Sequence, residues 1–359
     1  MSASLQEPWY FYGVNLSNIF WQARRLSRAA GPLQTARLAA RLSRHLPRLW
    51  RLKQSGRPLI VIALIERLGD LVSSEPLIRL IRDRHKEACI LWCLEPHYSE
   101  LLRHHPLLDG LIEVKSFTEW RSLATLFPFT KIYDLHPNLF PCRRFPGLLS
   151  KRHGDPRVTM RNYYHFPGGL LGAFSRAGGL PFEPRSPEIS ITRETKARVD
   201  KLRLPNAFWV VHTRSEDTQR DWRPSHWEKL IREVPLPVVE VGQRPVLPKS
   251  ARSLSTLSIL EQAEVIRRAR FFVGVDSGPA HLAHAMRTPA VILLGTFLDF
   301  RRHNPYTGFY QGPPGALHVR VNGPCSEIPF SLVKEAVTKR METLGCVSAS
   351  TSIQNETVS

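Results

Sequence analysis

Leu59-Ile60-Val61-Ile62-Ala63-Leu64-Ile65 is an unbroken apolar run, closed by Glu66-Arg67-Leu68-Gly69-Asp70 and followed by an amphipathic stretch over 71–84. A short segment that is apolar at every position, not at alternate ones, fits a strand buried on both faces of a parallel sheet. Further strands are expected at 88–94, 111–114 and 131–135, and the spacing is that of βαβ units in a doubly wound sheet. A Gly/Pro-rich passage, from Pro167-Gly168-Gly169 through Gly178-Gly179-Leu180-Pro181 to Pro187, reads as a hinge. The pattern then restarts, with strands at 207–212, 238–241, 271–275 and 290–294 and helices at 227–233, 259–268, 279–286 and 332–341. Two successive α/β halves imply a cleft between them where ligands bind.

Composition narrows the class. With 359 residues, 42% hydrophobic and 23% charged, the chain is globular and of two-domain length. The run at Leu59–Ile65 has seven residues, against the about twenty that a spanning helix needs. No early basic segment leads into an apolar core and a small-residue cleavage site, so export is not expected. Five Cys without repeated spacing fit reduced thiols in a cytosol.

The net charge of +19 is unevenly spread: residues 1–57 hold ten basic side chains against one acid, Glu7. Between Gln34 and Lys53, Arg37, Arg41, Arg44, Arg48 and Arg51 recur at helical spacing beside a stripe of Leu38, Leu42, Leu46 and Leu49. Pro47 should kink or split this helix. Upstream lie the aromatic segments Trp9-Tyr10-Phe11-Tyr12 and Ile19-Phe20-Trp21. Two readings stand side by side: a helix lying on an anionic membrane surface, or a leucine face docked on the protein's own body with the arginines solvated. Nucleic acid is the poorer account, because no nucleic-acid motif accompanies the charge.

The residues suited to chemistry fall at strand ends. In Gly274-Val275-Asp276-Ser277-Gly278-Pro279-Ala280-His281, a strand ends at Asp276 and Pro279 opens a helix. Ser277 and Gly278 then sit at a helix N-terminus, which collects anions, with His281 in the first turn; an ordinary N-cap with a packed histidine is the plainer alternative. After the strand opening the second half come His212-Thr213-Arg214-Ser215 and Gln219-Arg220-Asp221-Trp222, hydroxyls and guanidinium groups suited to phosphate oxygens. In Arg67-Leu68-Gly69-Asp70, Gly69 would allow a tight turn, and Asp70 is either a proton acceptor at the cleft or an N-cap.

Taken together, Arg-Leu-Gly-Asp after a first strand, the Thr-Arg…Arg-Asp-Trp segment and Val-Gly-Val-Asp-Ser-Gly-x-x-His resemble glycosyltransferase family 9, the lipopolysaccharide heptosyltransferases of GT-B fold. The likeness runs from about Pro58 to Met341 and takes in the Cys325…Ile328…Val333 pattern. It implies an α/β GT-B fold, two Rossmann-like doubly wound domains facing a central cleft, with the basic N-terminal helical segment as an extra. The expected domains are the basic extension 1–57, an acceptor domain 58–190, a nucleotide-sugar domain 191–325, a C-terminal helix 326–345 and a disordered tail 346–359.

By position, the resemblance makes Asp70 the base that deprotonates the acceptor hydroxyl. Thr213, Arg214 and Arg220 would meet the donor's phosphates, with Arg220 where the family often has Lys. Ser277, Gly278 and His281 would hold the diphosphate, Asp276 would orient their loop, and Leu257 would lie near the nucleotide base. Arg143 and Arg144 are candidates for an anionic glycolipid acceptor. The implied reaction is inverting transfer from an ADP-heptose-like donor, without metal or other cofactor. A peripheral site on the inner face of the cytoplasmic membrane would suit a glycolipid substrate.

Other classes lack their signatures. There is no Gly-x-Gly-x-x-Gly for a nicotinamide cofactor, no P-loop and no Gly-x-Ser-x-Gly elbow. Asp-x-Asp is missing at strand ends, and His281/His284 and Cys89/Cys93 have no further ligands at metal spacing. The main rival is a non-catalytic sugar- or lipid-binding protein on a degenerate transferase fold.

Overall fold

The computed structural model describes residues 10–11, 14–15, 32–138, 140–141, 148–149, 153–247, 251–297, 300 and 303–346. Arg143, Arg144, Ile19-Phe20-Trp21 and nearly all of the tail 346–359 lie outside the described residues. The chain divides into two units. The first comprises Met1–Glu66, Leu77–Met160 and Phe174–Pro181, and the second Arg67–Pro76, Arg161–Ala173 and Phe182–Ser359.

The first unit is built on four parallel strands: β1 (Leu59–Ala63), β2 (Cys89–Leu94), β3 (Gly110–Glu113) and β4 (Lys131–Asp134). Their spatial order is β3-β2-β1-β4. Every residue of β1 and β2 is buried, which is why both read as continuous apolar runs.

Two helices of the basic segment, α1 (Pro32–Ser43) and α2 (Leu46–Gln54), cover one face of this sheet. The chain breaks between them, with Pro47 in the first turn of α2, where its missing N–H costs nothing. Leu38, Leu42 and Leu49 are buried with Leu59, Val61, Leu91 and Cys93, and with Phe117, Trp120 and Leu123 of α5 (Phe117–Leu126). The leucine stripe therefore packs on the protein's own body. Arg48 donates to the Leu111 carbonyl (2.9 Å) and Lys53 to that of Pro128 (2.9 Å), while Arg37, Arg44, Arg48 and Arg51 stay exposed. No helix among the described residues is long and apolar enough to cross a membrane.

The single helix expected over 71–84 is two: α3 (Leu68–Ser74) and α4 (Pro76–Arg84). Pro76 has no N–H to continue α3, so it closes one helix and opens the next. α3 also starts three residues earlier than the sequence pattern indicated.

The second unit holds six parallel strands: β5 (Trp209–His212), β6 (Val238–Val241), β7 (Arg252–Leu254), β8 (Phe272–Val275), β9 (Ala290–Leu294) and β10 (Ala316–Arg320). The order is β7-β6-β5-β8-β9-β10, so the strand sequence reverses between β5 and β8. In a doubly wound sheet that reversal opens a crevice at the carboxyl ends of the two strands. The helices include α6 (Gly169–Ala177, shared between the two units), α7 (Arg193–Asp200), α8 (Pro224–Glu233), α9 (Ile259–Arg268), α10 (Gly278–Ala285) and α11 (Phe330–Thr343). One core beneath them joins Trp209, Trp222, Trp227, Phe271, Val291, Ile328 and Val333.

Candidate active site

At the carboxyl end of β8, Asp276 leads to Ser277, the N-cap of α10, and Gly278 is that helix's first residue. The Ser277 side chain caps no backbone N–H. Its Oγ contacts the Val275 carbonyl (3.0 Å) and His212 Nδ1 (2.8 Å). Pro279 has no N–H, and Ala280 and His281 already donate to the Ser277 carbonyl (3.1 and 3.3 Å), so in this first turn it is the Gly278 N–H that keeps its capacity for an anion. His212 ends β5, and burial pulls its imidazole down to about 4, so it is neutral near pH 7. Gly242, at φ +112°, admits it: a Cβ there would come within 2.7 Å of the ring.

The loop after β5 is folded by its own side chains. Ser215 N–H donates to Asp221 (2.6 Å) and Gln219 N–H to Asp217 (3.1 Å), closing a 3-10 turn over Thr218–Arg220. Trp222, buried, donates from Nε1 to the Ile328 carbonyl (2.9 Å) and pins the loop's far end. Thr213 is buried and gives its hydroxyl to Glu240 (2.7 Å), which also accepts from Val246 N–H (2.8 Å) and Leu247 N–H (3.0 Å). Glu240 is therefore a loop anchor. Arg214 points to solvent.

Arg220 turns inward. Its guanidinium lies 4.6 Å from the centre of the Phe297 ring, Nη1 is 3.4 Å from Asp276 Oδ2, and Nε is buried without a partner.

Asp276 is the hub. Tyr306 donates its hydroxyl to Oδ1 (3.0 Å), His281 Nε2 stands 3.6 Å from the same oxygen, and His303 Nε2 is 3.4 Å from Oδ2. Burial alone would raise the Asp276 carboxyl. The imidazoles of His281 and His303 and the charge of Arg220 outweigh it and hold the group well below the usual carboxylate range.

Asp70 enters on α3, where it is the third residue; Arg67 occupies the N-cap position. The capping alternative for Asp70 is thereby replaced, as is the turn expected at Gly69. Gly69 lies inside the helix with an ordinary φ, and its missing side chain makes room for His281: a Cβ would sit 2.8 Å from Cδ2 and 3.2 Å from Nε2. Gly278 returns the accommodation, since a Cβ there would meet Leu68 at 2.8 Å. Ser73 Oγ lies 2.8 Å from His281 Nδ1. Loss of water raises the Asp70 carboxyl above its ordinary value; His281, when protonated, and the charges of Arg67 and Arg220 oppose the shift. Arg67 is paired with Glu216 of the loop after β5.

The structure thus brings together Asp70, Arg220, Asp276, Ser277, Gly278 and His281 from three segments of the second unit. Leu257 lies apart, directly before Ser258, which caps α9. Sequence reasoning missed Ser73, His212, His303, Tyr306 and Tyr164. The Tyr164 ring packs against Phe297, Phe300 and His303, and its hydroxyl is pushed well up by burial and by the nearby Tyr163, Asp276 and Asp70. Of these, only Ser73 left a local signal, three and four residues beyond Asp70 and Gly69. Among the described residues no group of three or more His, Cys, Asp or Glu side chains is arranged to hold a metal; His284 instead stacks on Tyr310 at 4.8 Å.

The sequence profile described as glycosyltransferase family 9 (heptosyltransferase) matches residues 246–307, the stretch that holds the Asp-Ser-Gly-x-x-His element. Over that stretch the chain is similar to glycosyltransferase family 9. No curated protein sequence matches it. Solved structures similar in fold include a glycosyl transferase family 9 protein from Veillonella parvula, at 16% identity and a TM-score of 0.57, covering 80% of this chain and 97% of that one. The E. coli ADP-heptose LPS heptosyltransferase II is 17% identical with a TM-score of 0.60, covering 79% of this chain and 98% of that one. E. coli heptosyltransferase WaaC with ADP-2-deoxy-2-fluoro heptose is 15% identical with a TM-score of 0.51, covering 78% and 99%. At these identities the likeness establishes the fold, which is GT-B.

Proposed function

We propose that this family-9-type chain is an inverting glycosyltransferase that moves a sugar, heptose foremost, from a nucleoside-diphosphate donor to an anionic glycolipid of the lipopolysaccharide-core kind. The observation that carries the reading is the meeting of a carboxylate, Asp70, with Arg220, His281 and the open N-terminus of α10 at the strand-order reversal. The donor's diphosphate sits on the Ser277 and Gly278 N–H groups. Arg220, steadied by Asp276 and Phe297, takes up charge on the leaving oxygen. Asp70 accepts the proton of the acceptor hydroxyl as its oxygen bonds to the anomeric carbon. The bond from that carbon to the phosphate oxygen breaks on the opposite face, and nucleoside diphosphate leaves. A helix N-terminus and a guanidinium supply the positive charge, so the reading needs no metal. The structural likeness to the E. coli ADP-heptose LPS heptosyltransferase II and to WaaC with ADP-2-deoxy-2-fluoro heptose favours that donor.

The membrane reading narrows to charge. The leucines of α1 and α2 are inside the protein, while Arg37, Arg44, Arg48 and Arg51 face out, so this face rests on anionic headgroups at the inner surface of the cytoplasmic membrane. Arg143 and Arg144 stay candidates for the acceptor's phosphates. The deciding experiment is Asp70→Asn with ADP-heptose and a deacylated core acceptor. Turnover should fall by about 10²–10⁴, the range general-base catalysis covers, with ADP affinity unchanged. Wild-type turnover in this variant refutes the base, and a native protein stabilised by no nucleotide sugar favours the degenerate binding protein.

A further inference from the structure

Helix α3 meets α10 at His281 and grips that side chain twice. Gly69 lies under the edge of the ring, leaving it the space a Cβ would fill. Ser73, four residues on and so on the same face of α3, sets its hydroxyl 2.8 Å from Nδ1. Serine and histidine are both buried, at 6% and 3% exposure, so neither nitrogen falls back on bulk water. The other ring nitrogen, Nε2, stands 3.6 Å from Asp276 Oδ1.

In the neutral ring these contacts favour one position for the proton. A neutral imidazole carries one N–H and one lone pair. With the proton on Nδ1, the Nε2 lone pair would confront a carboxylate oxygen. With the proton on Nε2 both contacts are favourable: the Ser73 hydroxyl donates to Nδ1, and Nε2–H points toward Asp276. At 3.6 Å that N–H is too far from the carboxylate to be consumed by it. It keeps its capacity for an oxygen of a ligand on the first turn of α10.

We propose that Ser73 is a positioning residue, whose hydroxyl holds His281 in the Nε2–H tautomer and so presents a hydrogen-bond donor to the departing diphosphate. The proposal rests on the transferase reading for its catalytic consequence, but not for its geometry. Ser73 also shares α3 with Asp70, so one short helix carries the proton acceptor and sets the donor that meets the leaving group.

The test uses full-length protein labelled with ¹⁵N-histidine, His281 being assigned by its loss in His281→Gln. Native protein should show His281 as the Nε2–H tautomer. Ser73→Ala should shift it to a mixture and lower kcat about five-fold, the loss of one ordinary hydrogen bond, with the donor KM changing less. Ser73→Thr should restore both, which a merely space-filling role would not require. A native Nδ1–H tautomer, or tautomer populations indifferent to Ser73→Ala, overturns the positioning itself. Native protein that turns over no nucleotide sugar while the tautomer still responds overturns the catalytic role and the transferase reading, and leaves the geometry standing.

Discussion

Gly69→Ala separates stability from function at this site. In the variant a methyl group would lie 2.8 Å from His281 Cδ2, where ordinary contact begins at 3.4 Å. The imidazole or the helix must give by about 0.6 Å. Two stability terms oppose each other. Alanine in place of glycine in a helix gains about 1 kcal/mol, and overpacking costs about 1–3 kcal/mol. The net is a loss of at most about 2 kcal/mol, a few degrees in Tm for a protein of this size.

Function has no such compensation. A displacement of about 0.6 Å stretches the Ser73–His281 contact from 2.8 Å to as much as about 3.4 Å, the weak end of hydrogen bonding, and moves Nε2–H from its target. A misplacement of about 1 Å can cost about a hundred-fold in rate, so about ten-fold is the expected loss here. The assay is nucleoside diphosphate release at saturating acceptor, with a thermal melt beside it. A variant that melts a few degrees lower but turns over within two-fold of the native protein would refute the idea that close approach of α3 to His281 matters to the reaction.

Three further outcomes follow from the same geometry. The acidic limb of the kcat profile should lie above the ordinary carboxylate range. Asp70 works ionised and its carboxyl is raised by loss of water, so activity is full above that raised value and lost as pH falls through it; His281→Gln removes a neighbour that lowers it and should move the limb higher, as a pH-rate series will show. Arg220→Lys loses the planar guanidinium that lies over the Phe297 ring, and calorimetry should find nucleoside diphosphate affinity about ten-fold weaker. Reversing Arg37, Arg44 and Arg51 to Glu should abolish sedimentation with phosphatidylserine vesicles, at about 1 kcal/mol per lost basic residue, and leave turnover of a deacylated acceptor untouched; retained sedimentation would count against the arginine face.

What was legible in the sequence was local. β1 and β9 announce themselves because both of their faces are buried. β7 and β10 sit at the sheet's edges with partly exposed residues, so they have no continuous apolar run to read. α5 did leave a signal, Ser116 three residues before Glu119, and the cap hydrogen bond is there at 3.2 Å. Asp276-Ser277-Gly278 was readable because a strand end and a helix start adjoin in the chain. The partners that fix Asp276 were not, since Tyr306 and His303 come from a loop beyond β9 and only the fold delivers them. Ser73 was hidden by phase: with α3 begun at residue 71, Gly69 fell in a turn and its shared face with Ser73 disappeared.

The packing of α1 and α2 changes what the first 57 residues are. A charged arm hung on a finished domain can be cut away, and only its binding is lost. Here Leu38, Leu42 and Leu49 complete the cover of β1 and β2, each worth about 2 kcal/mol when buried. About 6 kcal/mol is comparable with the whole stability margin of many domains. Truncation at residue 57 would strip one face of the first sheet and yield a misfolded or aggregating chain. Selection on the segment is then double: its apolar side answers to the fold and its basic side to whatever surface it meets, so the two faces are free to diverge at different rates.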